Sequence, residues 1–250
     1  MKRTLFPLLA ATLLTMACGS NENNRDKKQT VNDEGQVLPG DTSIYGLACE
    51  GCTDSLLILL PLNGGDPDTF NIFNAQLNHR IFGRPDIGDM MAVICDSQAA
   101  HTAARVINLD KLQGEWRYQV TPRLRRRQVD SAMAQQPVNL PDSFVRRWLQ
   151  PKEYGYDIRR DYVVHPVGGV SPTEAQQGPV EYPTLKRYRE WHVLNGRFIL
   201  SETRRDTTGQ SVTVSIDTVD IVRLRRDTLT LRFADHEQSF YRKKEAGSPQ

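Results

Sequence analysis

The sequence carries none of the short signatures that announce a reaction. There is no Gly-x-Ser-x-Gly elbow, no His-Glu-x-x-His pair, no glycine-rich phosphate loop and no run of carboxylates at calcium-ligand spacing. Carboxylates abound, but none is embedded in an apolar strand beside a partner that would tune it for acid–base work. Asp220 comes nearest, and strand alternation turns it outward. Histidine is scarce, at five in 250 residues. His79 and His101 have no Cys, Asp or second His at ligand spacing and read as surface residues. No catalytic residue, metal site or cofactor is expected, and the protein reads as non-enzymatic.

Charge of one sign is missing too. The net charge is +2, and 24 of the 32 cationic residues are Arg, many in doublets such as Arg146-Arg147, Arg159-Arg160, Arg204-Arg205 and Arg225-Arg226. Neighbouring strand residues point to opposite faces, so a doublet makes no one-sided basic patch and nucleic acid is not an expected partner. A membrane-spanning run is absent at the N-terminus as well. Leu5 to Met16 covers twelve residues, against the roughly 20 that a spanning helix needs.

That short run, preceded by Met1-Lys2-Arg3, has the layout of a secretory signal, residues 1–17. It ends in Leu14-Thr15-Met16-Ala17-Cys18 and is followed by Gly19-Ser20. A small residue before a cysteine resembles the lipobox of bacterial lipoproteins, with Leu14 four residues before the cysteine rather than three. The resemblance implies cleavage before Cys18, a diacylglycerol thioether on its sulfur, and a further acyl chain such as palmitate on its new amine. Several acyl chains, at about 0.8 kcal/mol per buried CH₂, make an effectively permanent anchor. Gly19 is not the aspartate of inner-membrane retention, so the expected site is the outer membrane of a bacterial envelope. Residues 18–41 are almost devoid of apolar side chains and read as a disordered tether, and residues 245–250 as a disordered tail.

Three cysteines remain. Gly46-Leu47-Ala48-Cys49-Glu50-Gly51-Cys52 resembles the GMxCxxC loop of heavy-metal-associated domains, but that family needs a long helix directly afterwards. Here Leu56–Leu60 is followed by Pro61 and a turn cluster, which leaves room for a short buried strand only. An exported protein more often uses such cysteines structurally. A Cys49–Cys52 disulfide with Cys95 free is the first expectation, and Cys95 pairing with one of them the alternative. A redox or metal-handling role for the pair is a third functional reading.

Residues 42–109 hold five or six short strands separated by Gly, Pro and Asp turns, which predicts a small OB- or SH3-like β-barrel. Residues 110–244 are also β-rich. Two alternating apolar runs flank Asn195-Gly196, the dipeptide of a two-residue hairpin loop. The register then pairs Leu194 with Arg197, Val193 with Phe198, Trp191 with Leu200 and Arg189 with Glu202. One face, with Trp191, Val193, Phe198 and Leu200, is expected to point inward. Val212, Val214 and Ile216 alternate on even positions but Val219 and Ile221 on odd ones, which predicts a turn or bulge at Asp217-Thr218. Residues 122–183 read as an insertion containing a short helix near 141–149 and a long loop over 165–183, a lid or a solvated excursion.

Gly114-Glu115-Trp116-Arg117-Tyr118 resembles the Gly-x-Trp signature of lipocalins, where the tryptophan packs across the base of the barrel. With the closing strands and the Cys18 signal, the chain resembles the lipocalin-like lipoproteins of Bacteroidetes. The resemblance implies a mainly β protein, a lipocalin-like antiparallel barrel after the small β-barrel. It also implies a small apolar or amphipathic ligand bound among Trp116, Tyr118, Trp191, Val193, Phe198 and Leu200, with those aromatics filling a solid core as the bland alternative. The competing function is a structural subunit that meets another envelope protein.

Overall fold

The computed structural model describes residues 38–125, 141–171 and 179–244. The expected signal peptide (1–17), Cys18, the expected tether as far as residue 37 and the expected tail (245–250) lie outside the described residues.

The first sheet contains β1 (Ile44–Ala48), β2 (Leu56–Pro61), β3 (Asp68–Asn71), β4 (Ile81–Phe82), β5 (Met90–Asp96) and β6 (Ala99–Asn108), with helix α1 (Phe73–Leu77) after β3. Its order is β3-β2-β1-β5-β6, with β4 beside β6, and Asn71 of β3 bridges Thr102 of β6 to close a small barrel. Alternation supplies the interior: Leu57, Leu59, Phe70, Met91, Val93 and Val106 are all buried. The apolar run of β2 is not buried on both faces as expected, because Leu56 and Leu60 stay 41% and 38% exposed on the outer side.

The second sheet follows helix α2 (Leu109–Leu112). It comprises β7 (Gly114–Val120), β9 (Lys152–Ile158), β10 (Val164–Gly168), β12 (Glu190–Leu194), β13 (Arg197–Arg205), β14 (Ser211–Leu224), β15 (Thr228–Arg232) and β16 (Glu237–Arg242). A two-stranded ribbon of β8 (Arg123–Leu124) and β11 (Val180–Glu181) and a helix α3 (Asp142–Trp148) lie in the connections. Except between β10 and β12, each wall strand pairs antiparallel with the next in the chain, and β16 returns to β7. At the β10–β12 seam, Val163 bridges Glu190, Val164 N–H donates to Arg189 O at 2.8 Å and Trp191 N–H to Tyr162 O at 2.8 Å. The result is an eight-stranded up-and-down barrel, the lipocalin-type architecture.

The hairpin forms in the expected register, with Trp191, Val193, Phe198 and Leu200 buried, and it ends at Glu190 opposite Ser201, one pair short of Arg189 and Glu202. Asn195 (φ 50°) and Gly196 (φ 76°) adopt the left-handed loop that this hairpin requires.

Two expectations are corrected. Residues 122–183 are not an insertion outside the wall, since β9 pairs with all of β7 and β10 with β9. Tyr154, Tyr156 and Ile158 alternate inward and need that position. Part of the 165–183 stretch, residues 172–178, lies outside the described residues. Nor is there a turn at Asp217-Thr218: β14 runs through it, with Asp217 opposite Leu200 and Thr218 opposite Ile199. The conflict of parity is resolved by burying Val219 and Ile221 and leaving Val212, Val214 and Ile216 outside, at 48%, 59% and 60% exposure. Two bulges, with Val214 and Val222 as the extra residues, adjust the phase.

The base of the second barrel is closed by Arg242, at the end of β16. Its guanidinium lies 4.1 Å over the Trp116 ring, and it donates to Gln113 O (2.6 Å), Lys111 O (2.5 Å) and Arg226 O (2.7 Å). The opening residue of β7, Gly114 at φ 121°, is glycine because a Cβ there would sit 2.3 Å from the Arg242 guanidinium. Trp116 itself is fully buried and donates its indole N–H to Leu112 O at 2.8 Å.

The first sheet packs on this same closed end. Asn195 accepts from Thr42 N–H and its hydroxyl (2.9 and 2.8 Å), its own N–H donates to Asp41 (2.9 Å), and Arg105 donates to Gly196 O at 2.6 Å. Phe82, Ala92, Ile107, Leu109 and Leu112 join Trp116, Trp191 and Phe198 in one apolar cluster. Arg242→Lys keeps the charge but loses the planar stack and the three-way fork. We expect it to lower unfolding stability by about 2–4 kcal/mol in a denaturant titration, with Trp116 emission shifted to the red. Gly114→Ala is expected to be destabilising through the same contact.

Candidate functional site

The barrel interior is solid below and open above. Its middle holds only a gap of about 10 Å³ among Trp116, Tyr156, Ile158, Phe198, Leu200, Leu229, Leu231 and Phe240. An apolar space of that size holds no ligand and no ordered water. At the end away from Arg242 a cavity of about 1030 Å³ opens. Tyr118, Tyr156, Tyr188, Phe240 and Phe233 supply its aromatic surface, and Arg123, Lys186, Asp217, Glu181, Asp235 and His236 its polar surface.

Local sequence explains the positions. Tyr118 and Tyr156 project inward from β7 and β9, and Phe240 from β16, where they meet edge to face: Tyr118 and Phe240 have centroids 5.1 Å apart at 83°. Phe233 and His236 stack at 4.9 Å across the turn between β15 and β16. The extended segment before β12 crosses the mouth. Lys186 pairs with Asp217 at 2.6 Å, Tyr188 donates its hydroxyl to the same carboxylate, and Tyr156 donates to Lys186 O at 3.1 Å. Tyr188 is wholly buried and packs 5.4 Å from Tyr156.

These contacts set the ionisation states. Burial, then the Asp217 hydrogen bond, pushes the Tyr188 hydroxyl far above the ordinary tyrosine range, and burial does the same to Tyr156. Both remain neutral donors. Partial burial pulls Asp217 upward, but the hydrogen bonds from Lys186 and Tyr188 and the Lys186 charge outweigh it and hold the carboxyl below its usual range. Tyr118, raised by burial, has no hydrogen-bond partner for its hydroxyl among the described residues and faces the cavity.

The expected ligand residues therefore separate. Trp116, Phe198 and Leu200 fill the solid middle. Trp191 and Val193 are buried beside the first sheet, with Trp191 donating to Arg159 O at 2.8 Å and Val193 O accepting from Tyr45 at 3.1 Å. Tyr118 alone of the six lines the mouth. Sequence reasoning missed Tyr156, Tyr188, Phe240, Lys186 and Asp217. The Tyr154–Tyr156–Ile158 alternation carried a signal for one of them, whereas Tyr188 lies in coil and had none.

Cys49, Cys52 and Cys95 are free thiols, so the expected Cys49–Cys52 disulfide is not formed in the structure. The Cys52 thiol instead contacts Cys49 O at 3.1 Å and accepts from Ile58 N–H at 3.3 Å. Cys49 and Cys52 line a separate groove of about 700 Å³ with Arg84 and Asp86. Burial first, then the charge of Asp68, raises the Cys95 thiol above its ordinary range. Among the described residues no cluster of three or more His, Cys, Asp or Glu side chains is placed to hold a metal.

No protein-family model and no curated protein matches the sequence. Among solved structures, a lipocalin-like protein from Bacteroides thetaiotaomicron VPI-5482 aligns at 20% identity over 52% of this chain and 95% of that one, with a TM-score of 0.26. Likeness at that score carries no argument, and the barrel assignment stands on strand order and closure.

The depressed Asp217 predicts a pH dependence. Its stabilising contribution is complete above the ordinary aspartate pKa of about 3.9 and is lost as pH falls through the lower folded value. In thermal melts from neutral pH to pH about 2, Asp217→Asn should lower the midpoint near neutrality and fall less steeply than the wild type at the acidic end.

Proposed function

We propose that the protein is a lipid-anchored, non-enzymatic binding protein of the bacterial envelope whose second barrel takes a small apolar or amphipathic molecule at its mouth. The observation that carries this reading is the cavity of about 1030 Å³ with an aromatic floor and a charged rim, above a solid base. Cavities of roughly 300–1,000 Å³ with apolar walls and a few polar groups are the usual form of small-molecule sites. The apolar part of the ligand lies on Tyr156 and Phe240. Tyr118 donates its unengaged hydroxyl to an acceptor on the ligand, and the ligand's polar end stays at the rim near Lys186, Asp217 and His236. Burying an apolar group of about 150 Å² there contributes about 4 kcal/mol before the costs of ordering.

Native mass spectrometry of the protein purified from its own envelope is expected to retain a small molecule. Displacement of a fluorescent fatty acid reports the same site. Gln238→Trp, which lines the mouth from the inward face of β16 beside Phe240 and is only half-buried, should abolish probe binding with little change in the melting temperature. A protein that retains no molecule and whose probe binding is untouched by Gln238→Trp refutes the carrier reading.

Anchoring has its own test. Cys18→Ser should move the protein from the membrane to the soluble fraction and abolish incorporation of labelled palmitate.

A further inference from the structure

The inner face of the second barrel changes its chemistry in one step at the mouth. Strand alternation carries each wall from the solid middle to the rim. Trp116 gives way to Tyr118 on β7, Leu200 to Glu202 on β13, Val219 to Asp217 on β14, Leu231 to Phe233 at the end of β15 and Phe240 to Gln238 on β16. Those five positions hold two carboxylates and no cation. Burial first, and then Asp217 and Glu202, raise the Tyr156 and Tyr188 hydroxyls, which puts the Glu202 charge beside both. Asp235, in the turn after β15, brings a third carboxylate to the same cavity. One ammonium, Lys186, pairs with Asp217 at 2.6 Å and also acts on Asp235.

Granted the carrier reading, on which this rests, we propose that the mouth selects a cationic amphipath, a ligand with an apolar body and a protonated amine at its head. Glu202, Asp217 and Asp235 face the single ammonium of Lys186. Arg123 and Glu181 sit opposite each other on the β8–β11 ribbon and offset one another. Asp235 pairs with His236 at 2.7 Å, and Glu202 has the Ser215 hydroxyl at 3.5 Å but no ion-pair partner among the described residues. Even with a proton on His236, carboxylates outnumber cations at the rim. A cleft lined by one sign of charge concentrates ligands of the other. The aromatic lining suits the same head. Tyr118 and Phe233 are partly exposed, and a cation over an aromatic face is attracted by the ring. The Tyr118 hydroxyl accepts as well as donates, so it can receive an N–H of the ammonium. A carboxylate head would instead be repelled by Glu202 and Asp235, and Lys186, which could attract it, is already engaged by Asp217.

The test compares three ligands that share one apolar chain and differ only in the head. Decylamine, decanol and decanoic acid are titrated at neutral pH into the full chain carrying Cys18→Ser, each below its micelle-forming concentration, and binding is read by calorimetry. The amine is expected to bind tightest and the acid weakest, with a gap of about tenfold or more between them. Glu202→Gln together with Asp235→Asn should shrink that gap to within about twofold while leaving the affinity for decanol unchanged, which also shows that the doubly substituted protein is folded. Asp227→Asn, in the turn at the closed end where Arg242 N–H donates to Asp227 O, should leave the gap as it is. Decanoic acid binding as tightly as the amine, or a gap that survives the double substitution, overturns the cationic assignment and leaves the carrier reading standing. Binding of none of the three overturns both.

Discussion

Trp116 and Arg242 hold the second barrel shut at one end, and most of the molecule is arranged about that contact. A cation over an indole face gains little where water reaches it and more where water is excluded. Here the guanidinium is half-buried, lies 4.1 Å over the ring and has backbone carbonyls on its donors. Those carbonyls belong to Lys111 and Gln113, at the end of α2, and to Arg226, in the turn between β14 and β15. One side chain thus ties the last strand to the helix that enters the barrel and to a neighbouring turn. It also sits where β16 pairs with β7, the last wall strand with the first, with Arg242 opposite Trp116. Gly114 completes the arrangement by leaving room for the guanidinium.

The solid base and the open mouth follow from what lies at each end. At the base, apolar side chains of the barrel merge with those of the first sheet into one cluster, and Asn195-Gly196 is held by Gly40, Asp41, Thr42 and Arg105. Nothing equivalent among the described residues fills the other end. There the interior residues change from Leu and Trp to Tyr, whose hydroxyls tolerate a wet surface while their rings still pack. The extended segment over the mouth is fastened by Asp217, which is engaged by Lys186 and Tyr188. One carboxylate therefore shapes the rim and fixes a strand connection.

How much of this was legible in the sequence varied with how local the cause was. Asn195-Gly196 gave both hairpin and register, because the loop conformation is set by those two residues. Gly114-x-Trp116 pointed to the barrel base. Arg242 was invisible, since nothing beside it in the sequence distinguishes it from the following lysines; its role comes from a residue 126 positions away. β9 and β10 were hidden inside residues 122–183, which read as an insertion between the first strand and the hairpin series. In the fold Gly155 is needed because a Cβ there would meet Trp116 O at 1.9 Å. Pro166, which has no N–H, sits in the seam strand whose far edge is joined to β12 through a single bridge. β14 misled for another reason: two apolar parities in one strand imply a turn only if both are buried. Here one of them faces outward, and the buried half of the candidate site was mistaken for the ligand-binding half.

The Asn195-Gly196 hairpin gains a second meaning from its position. It is the turn by which the barrel base grips residues 40–42. The mouth is at the opposite end of the same strands, one barrel length away.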